Sequence, residues 1–214
     1  MREELILASK SPFRAQLLAN AGIKAEICGA DIDERAIEAE FLTARAGAAA
    51  ADNSGAAAGG KTAPLLAAKL AEAKALAVSK RFKDAYIIGC DQILELEGEI
   101  LHKVADEPAA KERLARLSGA THYLHTAFTV AQGGAARQAH IETAELTMRE
   151  LTPAIIDDYL KRAEKSIYQT VGAYQIEGPG LRLFAAVKGD YWGIIGLPLV
   201  PLFAALRGLG AADI

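Results

Sequence analysis

The stretch Leu5-Ile-Leu-Ala-Ser-Lys-Ser-Pro-Phe-Arg-Ala-Gln-Leu-Leu-Ala-Asn-Ala-Gly22 sets the fold class, because an apolar strand, a polar turn and a helix follow one another without a break. Ser11 is placed to cap the helix and Pro12 to open it, since the fixed φ of proline fits the first turn and its missing N–H has no helical acceptor there. Gly22 suits the C-cap. Helix starts favour acidic side chains, yet this turn carries Lys10 and Arg14 and no acid. Free N–H groups, the hydroxyls of Ser9 and Ser11 and two cations make a candidate phosphate cradle. An ordinary capped helix with a solvated Arg14 is the plain alternative, and this stretch alone leaves both open.

Working outward, 214 residues with 51% hydrophobic content suffice for one large domain or two closely packed lobes. The balance of 24 basic against 27 acidic residues gives no cationic face for a duplex, so no nucleic-acid partner is expected. Only Leu5 to Ala8 follow the charged start, too short for a signal-peptide core, and the longest apolar tract, Trp192 to Leu206, is broken by Pro198 and Pro201. A cytoplasmic protein with no membrane partner is the expectation. Cys28 and Cys90 form no metal-binding spacing and read as idle or buried thiols.

Along the chain, Ala25 to Cys28 reads as a second strand, and Asp31-Ile32-Asp33-Glu34 as a solvated acidic turn or the source of an oxygen ligand for a divalent cation. The Ala/Gly-rich stretch 44–60 reads as a mobile insert without site residues. Leu65 to Ser79 reads as a helix with Leu66, Leu70, Ala73 and Ala77 on one face, flanked by Lys69 and Lys74; spacing does not say whether either lysine reaches a phosphate or solvent. Ala85 to Leu94 is a nearly unbroken apolar run, as a strand covered on both faces requires, and Asp91 interrupts it. A buried carboxylate without a partner is costly, so a metal, a cation or a proton-transfer role is the better reading for Asp91. A hairpin turn at Glu97-Gly98 leads to Lys103. Glu107 to Leu117 follows as a helix, and His122 to Val130 and Ala139 to Thr147 as an antiparallel pair around Gly133-Gly134. Leu151 to Ala163 is a helix capped by Thr152 and opened by Pro153, and Pro198 to Leu206 closes the chain as another.

Three separated segments resemble the signature of the Maf family of nucleoside triphosphate pyrophosphatases: Leu7-Ala-Ser-Lys-Ser-Pro-Phe-Arg14, Ile87-Ile-Gly-Cys-Asp-Gln92 and Gly189-Asp-Tyr-Trp-Gly-Ile-Ile-Gly-Leu-Pro198. Their order and spacing match, and outside the Ala/Gly stretch the resemblance covers nearly the whole chain. It implies an α/β fold of the Maf/inosine-triphosphatase type over 1–214, an elongated mixed β-sheet flanked by helices with a central substrate cleft between two lobes. It also implies hydrolysis of a nucleoside triphosphate to monophosphate and pyrophosphate with a divalent metal cation, Mg, Mn or Co, and frequently a homodimer.

Residue by residue, the resemblance assigns Ser11 and Arg14 to the first loop, Glu34 to the acidic turn and Lys74 to the helical lysine that contacts substrate. Asp91 matches the general base, with Glu34 and Asp91 as metal ligands, and Lys103 matches the lysine of a Gly-Lys-Pro motif whose flanks are here His102 and Val104. Phe13, Gln92 and Glu177 stand where family branches differ in base choice. An aromatic residue, Gln and Glu resemble the 7-methyl-GTP branch, whereas Arg, Thr and Gln accompany pyrimidine substrates; Ala15 departs from the second arginine that branch often shows. On this reading Phe13 stacks on the base, Glu177 is a buried acceptor for its N1–H and N2–H edge, and Gln92 adapts as donor or acceptor. The rival readings are a dTTP/UTP or deaminated-purine triphosphate pyrophosphatase, and a non-catalytic regulator of septum formation, which would predict loss of Asp91 or the lysines.

Overall fold

A computed structural model describes residues 4–51, 62–163 and 165–211. Seven strands form one mixed sheet in the order β2-β1-β3-β5-β6-β7, with β4 also on β3. Strands β1 (Leu5–Leu7), β2 (Glu26–Ile27) and the first residues of β3 (Tyr86–Leu96) run parallel. The rest of β3 with β4 (Glu99–Leu101), β5 (Thr121–Gln132), β6 (Ala135–Met148) and β7 (Phe184–Lys188) is antiparallel. The β3–β4 turn places Glu97 and Gly98 at φ 52° and 84°, the left-handed pair a tight two-residue hairpin needs.

The central strands β1, β3 and β5 are covered on both faces, whereas much of β6 and β7 is exposed. Strand periodicity sends Tyr86, Ile88 and Cys90 into a core with helices α1 (Pro12–Asn20) and α7 (Leu199–Gly208), while Leu94 and Leu96 enter a second core with α4 (Glu107–Leu117) and α5 (Pro153–Arg162). Ile87 and Ile93 point the other way, to α3 (Thr62–Ser79). This α/β architecture agrees with the expected fold class.

The expected elements form where the sequence places them, with three differences. Helix α2 (Glu34–Ala51) runs through 44–51, which was expected to be mobile: the alanines there continue a helix that Asp33 starts by accepting from the Ala36 N–H at 3.0 Å. The remainder of that stretch, 52–60, lies outside the described residues. Ser11 occupies the N-cap of α1 but its side chain makes no capping bond, and Ala21 rather than Gly22 is the C-cap, Gly22 following at φ 76°.

The third difference concerns α3. Its buried residues are Ala63, Leu66, Ala67, Leu70, Ala71, Lys74, Ala75, Val78 and Ser79, so Lys74 lies on the packed face instead of flanking it, and Ala73 and Ala77 are only half-buried. Close packing explains this. A Cβ on Gly89 would overlap the Ala71 carbonyl oxygen and approach the Ala75 nitrogen within 2.5 Å, so α3 rests directly on the β3 backbone through small residues.

One edge of β3 is interrupted at the same place. Strand β1 pairs with residues 86–88 and β4 with 94–96, and among the described residues no strand pairs with 89–93 on that edge. The carboxyl end of β1 and the N-terminus of α1 open onto this break, the usual place for a ligand in a parallel sheet.

Candidate functional site

A cleft of about 1070 Å³ occupies the break. Among its lining residues are Ser11, Arg14, Glu34, Lys74, Asp91 and Lys103, so six of the expected site residues, drawn from α1, α2, α3, β3 and the segment after β4, are brought together.

Asp91 and Lys74 form its charged centre. Lys74 Nζ lies 2.5 Å from Asp91 Oδ1 and 3.1 Å from Glu34 Oε1, so one ammonium bridges two carboxylates. The Lys74 and Asp91 side chains are about one-tenth exposed, whereas that of Glu34 is 53% exposed at the start of α2. A pair this dry is held by mutual charge, and removing either member would leave an uncompensated buried ion. Asp91 Oδ2 makes no hydrogen bond among the described residues and remains for a water or a cation.

Arg14 is fixed by the scaffold. Its Nε donates to the Gly196 carbonyl at 2.9 Å, and Nη1 to the Cys90 carbonyl at 2.9 Å and to Ser9 Oγ at 3.2 Å. The same Ser9 oxygen accepts from the Ser11 N–H at 3.2 Å, shaping the loop that was read as a phosphate cradle. Cys90 is the idle thiol expected: burial pushes its pKa up, and Sγ donates to Gly196 O at 3.0 Å.

Lys103 lines the cleft although His102 and Val104 replace the usual neighbours. Val104 is buried against Ala110 and Ala173, anchoring the segment in place of a proline. Lys103 keeps contact with solvent, yet partial desolvation at the cleft wall and then the charges of Arg14 and Lys74 push its pKa down, against the opposing pull of Asp91 and Glu34.

The base-choice residues gather at the margin of the cleft. Phe13, Gln92 and Glu177 all line a small apolar pocket of about 30 Å³ that adjoins the cleft and shares Phe13, Gln92 and Val171 with it. Arg113 Nη1 donates to the Val171 carbonyl at 2.5 Å and fixes this wall. The buried Ala173, held at φ 57°, accepts from the Tyr159 hydroxyl at 3.2 Å. Two expectations are corrected here. Glu177 is exposed, not buried, so its discrimination is weakened by water. Gln92 does not adapt: its Nε2 donates to Thr126 Oγ1 and Gly193 O, both at 2.9 Å, and lies 3.0 Å from Ile194 O, so the amide nitrogen is committed and the oxygen is the free end.

Sequence reasoning missed Thr126, Glu142 and Asp190, which meet around Gly193, and Gly193 itself, whose carbonyl accepts from that amide. Only Asp190 and Gly193 lay within a recognised motif; Thr126 and Glu142 belong to ordinary β-patterned runs, and nothing short of strand register marks them.

A cleft that gathers Arg14, Lys74 and Lys103 at the carboxyl end of parallel strands, beside a pocket with an aromatic wall, has the features of an α/β protein built for a phosphorylated ligand. Residues 4–209 match the family model described as Maf-like protein, and the chain belongs to the Maf family. It is 45% identical over 207 residues to a 7-methyl-GTP pyrophosphatase of Brucella abortus biovar 1 (strain 9-941), covering 97% of this chain and 96% of that protein. It is 44% identical over 213 residues to a 7-methyl-GTP pyrophosphatase of Mesorhizobium japonicum, covering 100% of both. A protein of the same name from Rhizobium johnstonii is 43% identical over 213 residues, again with 100% of both covered. Among the described residues no helix is long and apolar enough to cross a membrane.

Proposed function

We propose that this protein hydrolyses 7-methyl-GTP to the monophosphate and pyrophosphate. The observation that carries the reading is the pairing of two unlike sites on one strand: the Lys74–Asp91 ion pair in the cleft and, one residue on, a small pocket where the Gln92 amide oxygen and Glu177 stand with Phe13. The names of the similar Brucella, Mesorhizobium and Rhizobium proteins support the same substrate.

The base edge of guanine presents N1–H and N2–H donors. Gln92 Oε1 and the Glu177 carboxylate are both acceptors, whereas uracil and thymine present carbonyls on either side of a single N–H and would leave one acceptor facing another. Methylation at N7 makes guanine cationic, so stacking on Phe13 adds a cation–π attraction of about 0.5–2 kcal/mol that a neutral base lacks. The small pocket alone holds little more than water, so the base occupies the region where it joins the cleft.

Arg14, Lys74 and Lys103, with the N-terminus of α1 behind Ser11, neutralise the triphosphate and the charge that builds on the departing pyrophosphate. Asp91 accepts the proton of a water that attacks the α-phosphorus through its free Oδ2, and the bond from that phosphorus to the oxygen bridging to the β-phosphate breaks. A divalent cation fits the donor set: Glu34 and Asp91 already converge on one positive charge, and Mg²⁺ is commonly held by one or two carboxylates with substrate phosphates supplying the rest. Among the described residues there is no cluster of three or more His, Cys, Asp or Glu to hold it otherwise. Such an ion, when bound, withdraws charge from the phosphoryl oxygens and acidifies bound water.

The test is hydrolysis of 7-methyl-GTP, dTTP, UTP and ITP side by side, with pyrophosphate and orthophosphate both measured. Pyrophosphate release, fastest from 7-methyl-GTP, abolished by a chelator and restored by Mg²⁺ or Mn²⁺, is expected. Orthophosphate as first product, or faster turnover of dTTP or UTP, would falsify the respective half of the reading.

A further inference from the structure

Gln92, Thr126 and Glu142 stand directly opposite one another on β3, β5 and β6, in one row across the sheet, and all three meet Gly193 of α6 (Tyr191–Ile195). The Gly193 carbonyl accepts from Gln92 Nε2 and from Thr126 Oγ1, both at 2.9 Å. Its N–H donates to Asp190 Oδ2 at 2.6 Å. A Cβ at Gly193 would overlap Glu142 Oε1 and stand 3.4 Å from Asp190 Oδ2, so the Glu142 carboxyl fills the space a side chain would take, on the same side of the chain as the Asp190 carboxyl. Four residues earlier, before the helix, Gly189 at φ 137° lets the chain approach Ala144 on the same strand, where a Cβ would lie 2.6 Å from the alanine methyl. The segment 189–193 is therefore seated on β6 by two glycines and one carboxyl pair. Two carboxyl groups gathered around one point repel when both are charged and can share a proton when one is not.

We propose that Glu142 is a positioning residue for base recognition: its hydrogen bond to Asp190 pins the Gly193 end of α6 to the sheet, and the pinned carbonyls hold the Gln92 amide with its oxygen toward the base. This rests on the 7-methyl-GTP reading for its consequence in turnover, but the pin itself is a property of the free protein.

The titratable groups facing Glu142 are Asp190 from the start of α6, His140 on its own strand with Nε2 3.5 Å from Glu142 Oε2, and the Cys90 thiol from β3. From β5 come the neutral Thr126, opposite Glu142, and Phe128, which stacks on His140 at 5.6 Å. Burial lowers the His140 pKa and raises that of Cys90, so both are neutral near pH 7. Burial first, then the Asp190 charge and hydrogen bond, raise the Glu142 pKa to about 7. The sign follows: an acid whose pKa is raised by folding keeps its proton at low pH, so the pin is intact below that value and is released as pH rises through it and the two carboxylates repel.

The test uses Trp192, the single tryptophan of the chain, which precedes Gly193 on α6. Its fluorescence in the nucleotide-free protein, scanned from about pH 5.5 to 8.5, is expected to step with a midpoint about 7. Glu142→Gln, whose amide can donate to Asp190 at every pH, should remove the step, and His140→Asn should keep it. Asp190→Asn, which still accepts from Gly193, should move the step toward the ordinary glutamate range. In turnover, KM for 7-methyl-GTP should rise about five- to tenfold across the same range in the wild type, with kcat following its own profile, and the rise should vanish in Glu142→Gln. A fluorescence step that survives Glu142→Gln, or that disappears with His140→Asn, overturns the pin. Identical KM profiles in wild type and Glu142→Gln overturn its link to base recognition. Failure of every nucleotide to release pyrophosphate would overturn the pyrophosphatase reading instead, and the fluorescence comparison still decides the pin.

Discussion

Asp91 and Gln92 are neighbours in the chain, yet the two faces of β3 treat them in opposite ways. On the α3 face a charge is kept by another charge: Asp91 is paired with Lys74 at 2.5 Å on a helix that rests on Gly89. On the α6 face a neutral amide is kept by neutral acceptors, the Thr126 hydroxyl and two carbonyls. On the proposed function the period of two that separates the faces also separates the tasks, and the edge of β3 at 89–93, which no strand pairs among the described residues, would let one ligand reach around the strand to both. Ion pairs in a dry cleft supply rate, because they act on charge that develops in the transition state. A committed amide supplies selectivity, because a mismatched base leaves it unpaired.

The sharpest way to break this division is to remove the charge alone. Asp91→Asn is expected to lower kcat at least about 10²-fold on every nucleotide while circular dichroism stays that of the wild type. An Asn variant with near wild-type turnover would remove Asp91 from the chemistry. Lys74→Met attacks the same face from the other side, with an expected loss of kcat/KM of about 10²-fold and of stability of about 3 kcal/mol, the lower end for a broken buried pair. Unchanged denaturation midpoints would show that the pair carries no structural load.

Gly89→Ala touches neither charge and tests whether α3 must rest on the strand. The added methyl meets backbone atoms of Ala71 and Ala75, which cannot move without shifting Lys74. A loss of about 1–3 kcal/mol on thermal unfolding is expected, with kcat falling and base preference kept. A tolerated alanine would mean that the helix is free to stand off.

Smaller effects belong to the other face. Phe13→Arg should cut the preference for 7-methyl-GTP over dTTP by about tenfold, since a cation over a cationic base repels it, with the dTTP rate little changed. Glu177→Gln should shift the same ratio by less, about two- to threefold, because the exposed carboxylate is already screened by water. A larger effect at Glu177 than at Phe13 would reverse the order of the two contacts.

The faces also differed in how much the sequence disclosed. Asp91 stood out because an acid inside an apolar strand needs a reason, and the strand, its neighbours and the capped helices were legible from period and cap chemistry. Lys74 was misjudged as flanking because the apolar count favoured Ala73 and Ala77, whereas the close approach at Gly89 selects the Ala71–Ala75 side. That contact joins residues far apart in the chain and leaves no local mark. The row Gln92–Thr126–Glu142 was invisible for a related reason: each residue suits a strand by itself, and only the register of three strands lines them up beneath Gly193. Helix α2 was not foreseen, because the glycines of 44–60 argued for a loop, whereas up to Ala51 alanine propensity outweighs the single Gly47 within it.

The division of labour between the faces is tested most directly by measuring kcat/KM for 7-methyl-GTP and for dTTP in the wild type, Asp91→Asn and Gln92→Ala. The account predicts that Asp91→Asn lowers both values by the same factor and leaves their ratio unchanged, while Gln92→Ala changes the ratio about tenfold with kcat on dTTP nearly intact. A ratio that moves with Asp91, or a Gln92 variant that loses both activities equally, would contradict it.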